Sequence, residues 1–128
     1  MMPLLLDTHA FLWWLDGDPG LSVAARTAIA GDPRVHVSAA SAWEIATKFH
    51  LGKLPGAAAV AADIAGCVQG QRFLDLPIVT DDAQLAGSLP RHHRDPFDRM
   101  LVAQAIRRGL LLVSNETLFD AYGVARLW

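Results

Sequence analysis

The chain has 128 residues, which is enough for one hydrophobic core and too few for two ordinary domains, so we expect a single domain over residues 1–128. Hydrophobic residues make up 52% of it, yet no apolar run approaches the roughly 20 residues of a membrane-spanning helix. The formal net charge of -2 excludes the overall basic field that promotes non-specific binding to nucleic acids.

The N-terminal segment and the cysteine content bear on the cellular compartment. No basic residue precedes the first apolar run, and this run ends at Asp7, so we expect a cytoplasmic protein without a signal peptide or a membrane association. Cys67 is the single cysteine, which excludes an intramolecular disulfide and a multi-cysteine metal site. It lies in an alanine-rich stretch, where we interpret it as a small core residue.

The first half of the chain alternates short strands with helices. Residues 3–6 contain a run of three leucines that is typical of a strand buried on both faces, and Asp7 ends this run sharply. The apolar spacing and the capping residues predict the elements that follow. They are helices around residues 11–15 and 21–30, a strand at 35–38, and helices at 39–50 and 57–68.

The second half continues the alternation. We predict strands at residues 73–76 and 110–113, short helices at 81–89 and 117–122, and an edge strand at 124–128. The longest helix is predicted to begin at Pro96 and to stop at Gly109. Strands separated by helices imply an α/β fold, namely a three-layer α/β/α domain around a central, mostly parallel sheet of about five short strands.

Four acidic residues fall near the carboxyl ends of the predicted strands, where parallel sheets bind their ligands. Asp7 ends the first strand and Glu44 lies on the helix after the second, while Asp98 opens the long helix and Glu116 follows the fourth strand. Two carboxylates ~4 Å apart would repel by about 4 kcal/mol at an effective dielectric constant of about 20. Mg²⁺ or Mn²⁺ neutralises such a cluster well and leaves positions open for phosphate oxygens.

Each acid also has a purely structural interpretation. Glu44 could close a capping box with Ser41, but Ser38 is an equally good cap and would place Glu44 on the second turn of its helix. Glu116 stands at a helix start, where the helix dipole stabilises an acid whatever its function. The convergence of all the acids at one edge of the sheet is what favours a metal site.

Residues 94–99, RDPFDR, combine several roles. Proline favours the first position of a helix, so Asp95 is interpreted as the N-cap and Asp98 as a first-turn acid that the dipole also stabilises. Arg94 belongs to a basic stretch that is either a solvated loop or a contact for nucleic-acid phosphates. Arg99 can bind a phosphate or form a salt bridge with a neighbouring acid.

Several motifs, in a fixed order along the chain, resemble those of a known family. They are Leu6-Asp7-Thr8-His9, Ser41-Ala42-Trp43-Glu44-Ile45, Leu89-Pro90 followed by His93-Arg94-Asp95-Pro96-Phe97-Asp98-Arg99, Leu112-Val113-Ser114-Asn115-Glu116, and finally Tyr122-Gly123-Val124 with Leu127-Trp128. This order resembles the PIN-domain ribonucleases and, more narrowly, the VapC-type toxins of bacterial toxin–antitoxin pairs. The resemblance covers nearly the whole chain.

The resemblance implies a PIN-like fold and an endoribonuclease that depends on one or two Mg²⁺ or Mn²⁺ ions. The catalytic and metal-binding acids would be Asp7, Glu44 and Asp98, with Glu116 as a weaker fourth member because an aspartate is usual at that position. The residues that would orient the acids or contact the RNA substrate are Thr8, Ser114, Asn115, Arg94 and Arg99. Thr8 is equally readable as a helix N-cap.

The resemblance also implies protein partners, namely a cognate antitoxin and a second copy in a homodimer. The early helix that carries Trp13 and Trp14 would help to form the antitoxin groove. Adjacent tryptophans on a helix point in different directions, so we expect one of this pair at the surface. Trp43 and Trp128 are expected in the core.

Three other functions remain open on the sequence. A receiver-like signalling domain shares the architecture and a Mg²⁺ pocket, but it would need a lysine near a late strand, and the lysines are Lys48 and Lys53. A phosphatase with an aspartyl nucleophile would favour an acid two residues after Asp7, where His9 stands. A PIN-fold module that binds RNA or protein without cleaving it is suggested by the departure at Glu116.

Overall fold

The computed structural model describes residues 2–128, and a sheet of five strands lies at its centre. The strands are β1 (Leu4–Leu6), β2 (Val35–Ser38), β3 (Leu74–Leu76), β4 (Leu111–Val113) and β5 (Arg126–Leu127). Their order across the sheet is β3-β2-β1-β4-β5, and every neighbouring pair is parallel. The predicted α/β class with a sheet of about five short strands is confirmed, and the sheet is wholly parallel.

Helices connect the strands. They are α1 (Thr8–Asp16), α2 (Val23–Gly31), α3 (Ala39–His50), α4 (Ala58–Ala62), α5 (Ile64–Gly70), α6 (Thr80–Ser88) and α7 (Pro96–Arg108), with 3₁₀ helices at Pro55–Ala57 and Thr117–Tyr122. Most of these bounds agree closely with the predicted ones. Within residues 2–128, none of the helices combines the length and the apolar character that crossing a membrane requires.

The core has two halves, one on each face of the sheet. Successive side chains of a strand point to opposite faces, so Leu4 and Leu6 of the central strand β1 pack in one hydrophobic cluster and Leu5 packs in the other. The first cluster contains buried side chains of α1 and α2, and the second contains those of α6 and α7. Helices therefore cover both faces of the sheet, which gives the predicted three layers.

Capping residues fix where α3 and α7 begin. Ser38 caps α3, since its hydroxyl accepts the backbone N–H of Ala40 at 3.0 Å. Glu44 therefore lies on the second turn of α3 and does not close a capping box. Asp95 caps α7, because its Oδ1 accepts the backbone N–H of Asp98 at 3.0 Å. Both helix starts agree with the interpretation of the sequence. They determine where Glu44 lies along α3 and where Asp98 lies along α7.

The helix predicted at residues 57–68 is wrong as a single element. The segment divides into the first 3₁₀ helix, α4 and α5, and the chain breaks at Asp63, whose φ of -158° and ψ of 77° are not helical. The Asp63 carboxylate accepts the backbone N–H of Gly66 at 2.9 Å and so caps α5. Alanine-rich sequence hid this break, because alanine fits a continuous helix at every position.

Trp43 is not a core residue, contrary to expectation. It is 63% exposed and lies edge-on to Phe97 of α7, with ring centroids 4.9 Å apart. Trp128 is half-buried and packs against Trp13. Trp13 and Trp14 are both half-buried, so neither of the pair is fully exposed. Trp13, Trp14 and Trp128 therefore lie at the boundary of the core, and Trp43 lies at the surface.

A buried ionic network ties α6 to α7. Asp82 of α6 is fully buried and accepts hydrogen bonds from Arg107 and Arg108, the second at 2.7 Å. The Gln104 amide donates to Asp82 at 3.3 Å and to the Pro77 carbonyl at 3.1 Å. Such a charge is tolerated in a protein interior only when its partners are in place.

Candidate metal centre at the carboxyl edge of the sheet

An open pocket of about 420 Å³ lies at the carboxyl ends of β1 and β4. The strand order reverses between these two strands, and open parallel sheets bind their ligands at that reversal. The backbone N–H of Asp7 donates to the Val113 carbonyl at 3.1 Å, which keeps the two strand ends together. The structure brings all four predicted acids to the wall of this pocket, namely Asp7, Glu44, Asp98 and Glu116.

Asp7 is buried at the end of β1 and caps α1. Its Oδ1 accepts the backbone N–H of Ala10 at 2.8 Å, and its carboxylate is also hydrogen-bonded by Ser114. Burial raises the pKa of Asp7 above its ordinary value, and these hydrogen bonds only partly offset that effect. Asp7 is therefore a desolvated carboxylate whose charge the protein alone does not neutralise.

Glu44 reaches the pocket from α3, and separate donors hold its two oxygens. Thr8 Oγ1 donates to Oε1 at 2.6 Å, while the Lys48 ammonium donates to Oε2. A carboxylate can only accept hydrogen bonds, so the Thr8 hydroxyl donates its one hydrogen to Glu44. It then accepts a hydrogen bond from the Ser41 hydroxyl, whose Oγ is 3.0 Å away. Thr8 is the first residue of α1 and not its cap, because Asp7 holds that position.

Asp98 lies on the first turn of α7. His93 Nε2 is 2.8 Å from its Oδ2. Burial, followed by the charges of Asp95 and Glu44, raises the pKa of Asp98 to about 7, although the His93 contact opposes this. The carboxyl group is therefore poised to gain or lose its proton near neutral pH.

Glu116 and Asn115 form the part of the rim that follows β4. Glu116 caps the second 3₁₀ helix, since its Oε1 accepts the backbone N–H of Leu118 at 3.0 Å. Its side chain is half-buried and Asn115 is exposed. Ser114 is buried, and its hydroxyl accepts the backbone N–H of Glu116 at 2.9 Å. Thr8 and Ser114 thus orient acids, while Asn115 stands open to solvent.

The two predicted arginines lie in different surroundings. Arg94 is exposed on the loop before α7. Arg99 instead points at backbone carbonyls, donating to Leu89 at 2.8 Å, Ala86 at 2.9 Å and Pro90 at 3.0 Å. The Arg99 guanidinium therefore joins α7 to the end of α6 and to the loop that follows it. These hydrogen bonds explain its position without a phosphate contact or a salt bridge.

Lys48 and His93 are among the pocket residues that sequence reasoning did not assign to the site. Lys48 follows Glu44 by four positions on α3, and this spacing on a helix is a recognisable signal for an ion pair. His93 lies in an irregular loop, and its contact with Asp98 depends on the path of that loop rather than on a periodic pattern. The first residue was readable from the sequence, and the second was not.

The donor chemistry of the pocket fits a hard divalent cation. Five carboxylates line it, those already named and Asp95, against the single ammonium of Lys48. Within residues 2–128, no three His, Cys, Asp or Glu side chains form a ready-made set of metal ligands. Mg²⁺ typically keeps several waters and takes one or two carboxylates, so an acidic, open pocket suits it better than a closed cage would.

Comparisons with known proteins place this fold in a family. A PIN domain family model matches residues 4–125. Ribonuclease VapC22 of Mycobacterium tuberculosis is 31% identical over 118 residues, which cover 91% of this chain and 88% of that protein.

Solved structures with the same fold include toxin–antitoxin proteins. DNA-bound VapBC from Salmonella typhimurium has a TM-score of 0.70 at 20% identity, covering 99% of this chain and 98% of that one. VapC20 of Mycobacterium tuberculosis, a sarcin-ricin loop cleaving toxin, has a TM-score of 0.69 at 15% identity, covering 95% and 96%. At these identities the structures show the fold, while the family model and the ribonuclease establish kinship. The chain belongs to the PIN domain family, and the VapC ribonucleases are its relatives within it.

Proposed function

We propose that this protein is an endoribonuclease that hydrolyses RNA phosphodiester bonds with Mg²⁺ or Mn²⁺, and that it is the toxin of a toxin–antitoxin pair. The observation that carries the proposal is the pocket at the strand reversal, where Asp7, Glu44 and Asp98 gather with little positive charge to balance them. The kinship with a VapC ribonuclease supports the same reaction.

The acids that would hold the cation are Asp7, Glu44 and Asp98, with Glu116 as an outer member. A bound Mg²⁺ or Mn²⁺ supplies Lewis-acid activation of a water molecule and neutralises charge on the phosphate. Thr8 and Ser114 fix the carboxylates of Glu44 and Asp7 through hydrogen bonds, so that both acids are oriented before an ion arrives.

The RNA would enter across the open side of the pocket. Asn115 is exposed on the rim and can hydrogen-bond a phosphate or a ribose, and Arg94 is exposed on the adjoining loop, where its planar guanidinium suits a phosphate. The surface of the chain lacks a strong overall positive charge. Binding therefore depends on these local contacts and on the ion, which favours a short unpaired segment over a long duplex.

The proposal includes protein partners. The Salmonella typhimurium relative of this fold is a VapBC assembly, so we assign this chain a cognate antitoxin as well. Trp13 and Trp14 of α1 remain the candidates for that contact, since both keep part of their surface open. A homodimer and a cytoplasmic location complete the proposal.

The test is cleavage of varied RNAs by the purified, partner-free protein in the presence of Mn²⁺ or Mg²⁺, with EDTA in parallel. We expect cleavage that EDTA abolishes and that the variant Asp7→Asn reduces by about 10³-fold or more, because a carboxamide carries no charge. Asparagine can still cap α1, so the fold should remain intact by circular dichroism. Asp16→Asn, on the exposed end of the same helix, is the matched control and should cleave normally.

Two outcomes would contradict the proposal. Cleavage that persists in EDTA, or that Asp7→Asn leaves unchanged, would remove the pocket from the reaction. A folded protein that binds Mn²⁺ and RNA but cuts none of the substrates would instead point to a PIN-fold module that binds without cleaving.

A further inference from the structure

Lys48 is the basic side chain that reaches into the acidic pocket. Its ammonium is hydrogen-bonded to Glu44 Oε2, and its side chain remains 31% exposed. Among the lysine and arginine side chains of residues 2–128, it alone lines this pocket. Lysine is ordinarily protonated at neutral pH. The Lys48 ammonium therefore lies where the proposed function requires a divalent metal ion.

The hydrogen bonds of Glu44 divide its carboxylate into two halves. Thr8 holds Oε1 at 2.6 Å, and this contact is buried. Lys48 holds Oε2 through a contact that is only partly buried, on a flexible four-carbon stem. If Lys48 moved away, Thr8 would keep Glu44 in place with Oε2 free to bind an ion. The Glu44 carboxylate can therefore exchange the Lys48 ammonium for a divalent ion without moving.

We propose that Lys48 is a further catalytic residue of this nuclease: its ammonium occupies Glu44 until a divalent ion takes that carboxylate, and it then binds the scissile phosphate of the RNA. The inference rests on the proposed function. The released ammonium stays on α3 at the pocket wall, with three N–H donors for non-bridging phosphate oxygens. It keeps its proton throughout: only hydrogen bonds to it change, and no covalent bond to it forms or breaks.

This exchange has a signature that a purely structural ion pair lacks. The Glu44 end of this pair is buried, so losing a purely structural Lys48 would weaken the fold, but with Thr8 still holding Glu44 it should leave kcat at saturating Mn²⁺ nearly unchanged. In the proposed exchange, the Lys48 ammonium competes with the metal ion for Glu44 and then binds the phosphate. Removing it should therefore affect metal affinity and kcat in opposite directions. Losing Lys48 should therefore tighten metal binding and slow cleavage.

The experiment compares the wild type with Lys48→Met, Lys48→Arg and Lys53→Met. Methionine keeps the length and the apolar character of the stem while removing the charge. Lys53 is the other lysine of the chain; it is exposed beyond α3 and lies outside this pocket, so Lys53→Met matches the change in net charge. For each protein we would measure Mn²⁺ affinity without RNA, and kcat and KM for RNA cleavage at saturating Mn²⁺.

The expected result is that Lys48→Met binds Mn²⁺ about tenfold more tightly and loses roughly 10²-fold in kcat. Lys48→Arg should keep most of the activity because it keeps a cationic donor, and Lys53→Met should match the wild type in both measurements. An unchanged kcat for Lys48→Met would overturn the inference while leaving the nuclease established. Weaker Mn²⁺ binding by Lys48→Met would also overturn it, since Lys48 would then help to build the metal site instead of competing for it. A wild type that cleaves nothing would end both proposals.

Discussion

Asp98 is a carboxyl group whose ionisation is opposed by its surroundings. Burial and the charges of Asp95 and Glu44 raise its pKa to about 7, against the favourable contact with His93. A raised pKa means that the folded protein prefers the protonated form, so ionised Asp98 lowers stability, with the full loss reached above about pH 7. A carboxyl group with such a raised pKa in an open pocket is a candidate for binding a ligand.

Asp98→Asn should therefore make the metal-free protein more stable while removing its activity. At pH 8 we expect a gain of roughly 1–2 kcal/mol in the free energy of unfolding, because the variant avoids the buried charge. The gain should vanish at about pH 3, where Asp98 is protonated in the folded state and almost wholly protonated in the unfolded state. Urea denaturation in EDTA at both values checks this, and a loss of stability at pH 8 would show that Asp98 is a structural acid.

The first residue of each helix determines the position of the acid that the helix carries. These helix starts were predictable because a cap involves only residues close together in the sequence. Ser38 and Asp95 cap α3 and α7 as predicted, since each needs only a neighbouring backbone N–H. Asp63 is a cap of the same kind, but the alanines around it concealed the break between α4 and α5. A helix cap is therefore predictable from the sequence where it borders an apolar pattern, and it is easily missed where it interrupts one.

The contact between α6 and α7 depends on Asp82. Burial on its own would raise the pKa of Asp82, but hydrogen bonds from Arg108, the backbone of Val79, Arg107 and Gln104 outweigh it and hold this pKa well below its usual range. A depressed carboxyl pKa stabilises the fold above about pH 4, and this contribution is lost as the pH falls further. The network thus joins the helix that carries Asp98 to its neighbour.

Asp82→Asn should lower the free energy of unfolding by about 3 kcal/mol at neutral pH, because two arginines would lose their buried partner. The difference from wild type should shrink below pH 4. Asp81→Asn is the matched control, since the Asp81 side chain is 76% exposed and its ion pair with Arg107 spans 3.5 Å. Such a surface pair contributes roughly 0–1 kcal/mol. Equal effects of the two substitutions in urea denaturation would show that burial of Asp82 does not matter.

At the scale of the whole molecule, the topology of the sheet collects acids that lie far apart in the sequence. The parallel sheet was predictable from alternating strands and helices, and Asp7 was predictable as a site residue because it ends the central strand. The partners of Arg99 were not, because they are backbone carbonyls of a loop whose path no side-chain pattern encodes. Exposed Trp43 was missed for a related reason, since its packing depends on how α3 meets α7.

The central claim is that Asp7, Glu44 and Asp98 hold a divalent cation together, and a crystal structure of the protein soaked in Mn²⁺ tests it most directly. Anomalous scattering locates manganese without reference to the surrounding atoms. We predict a peak among the three acids, bonded directly to carboxylate oxygens of one or two of them and reaching the remaining acid through its bound waters. Manganese bound only elsewhere, with the pocket acids unchanged at saturating Mn²⁺, would contradict the account.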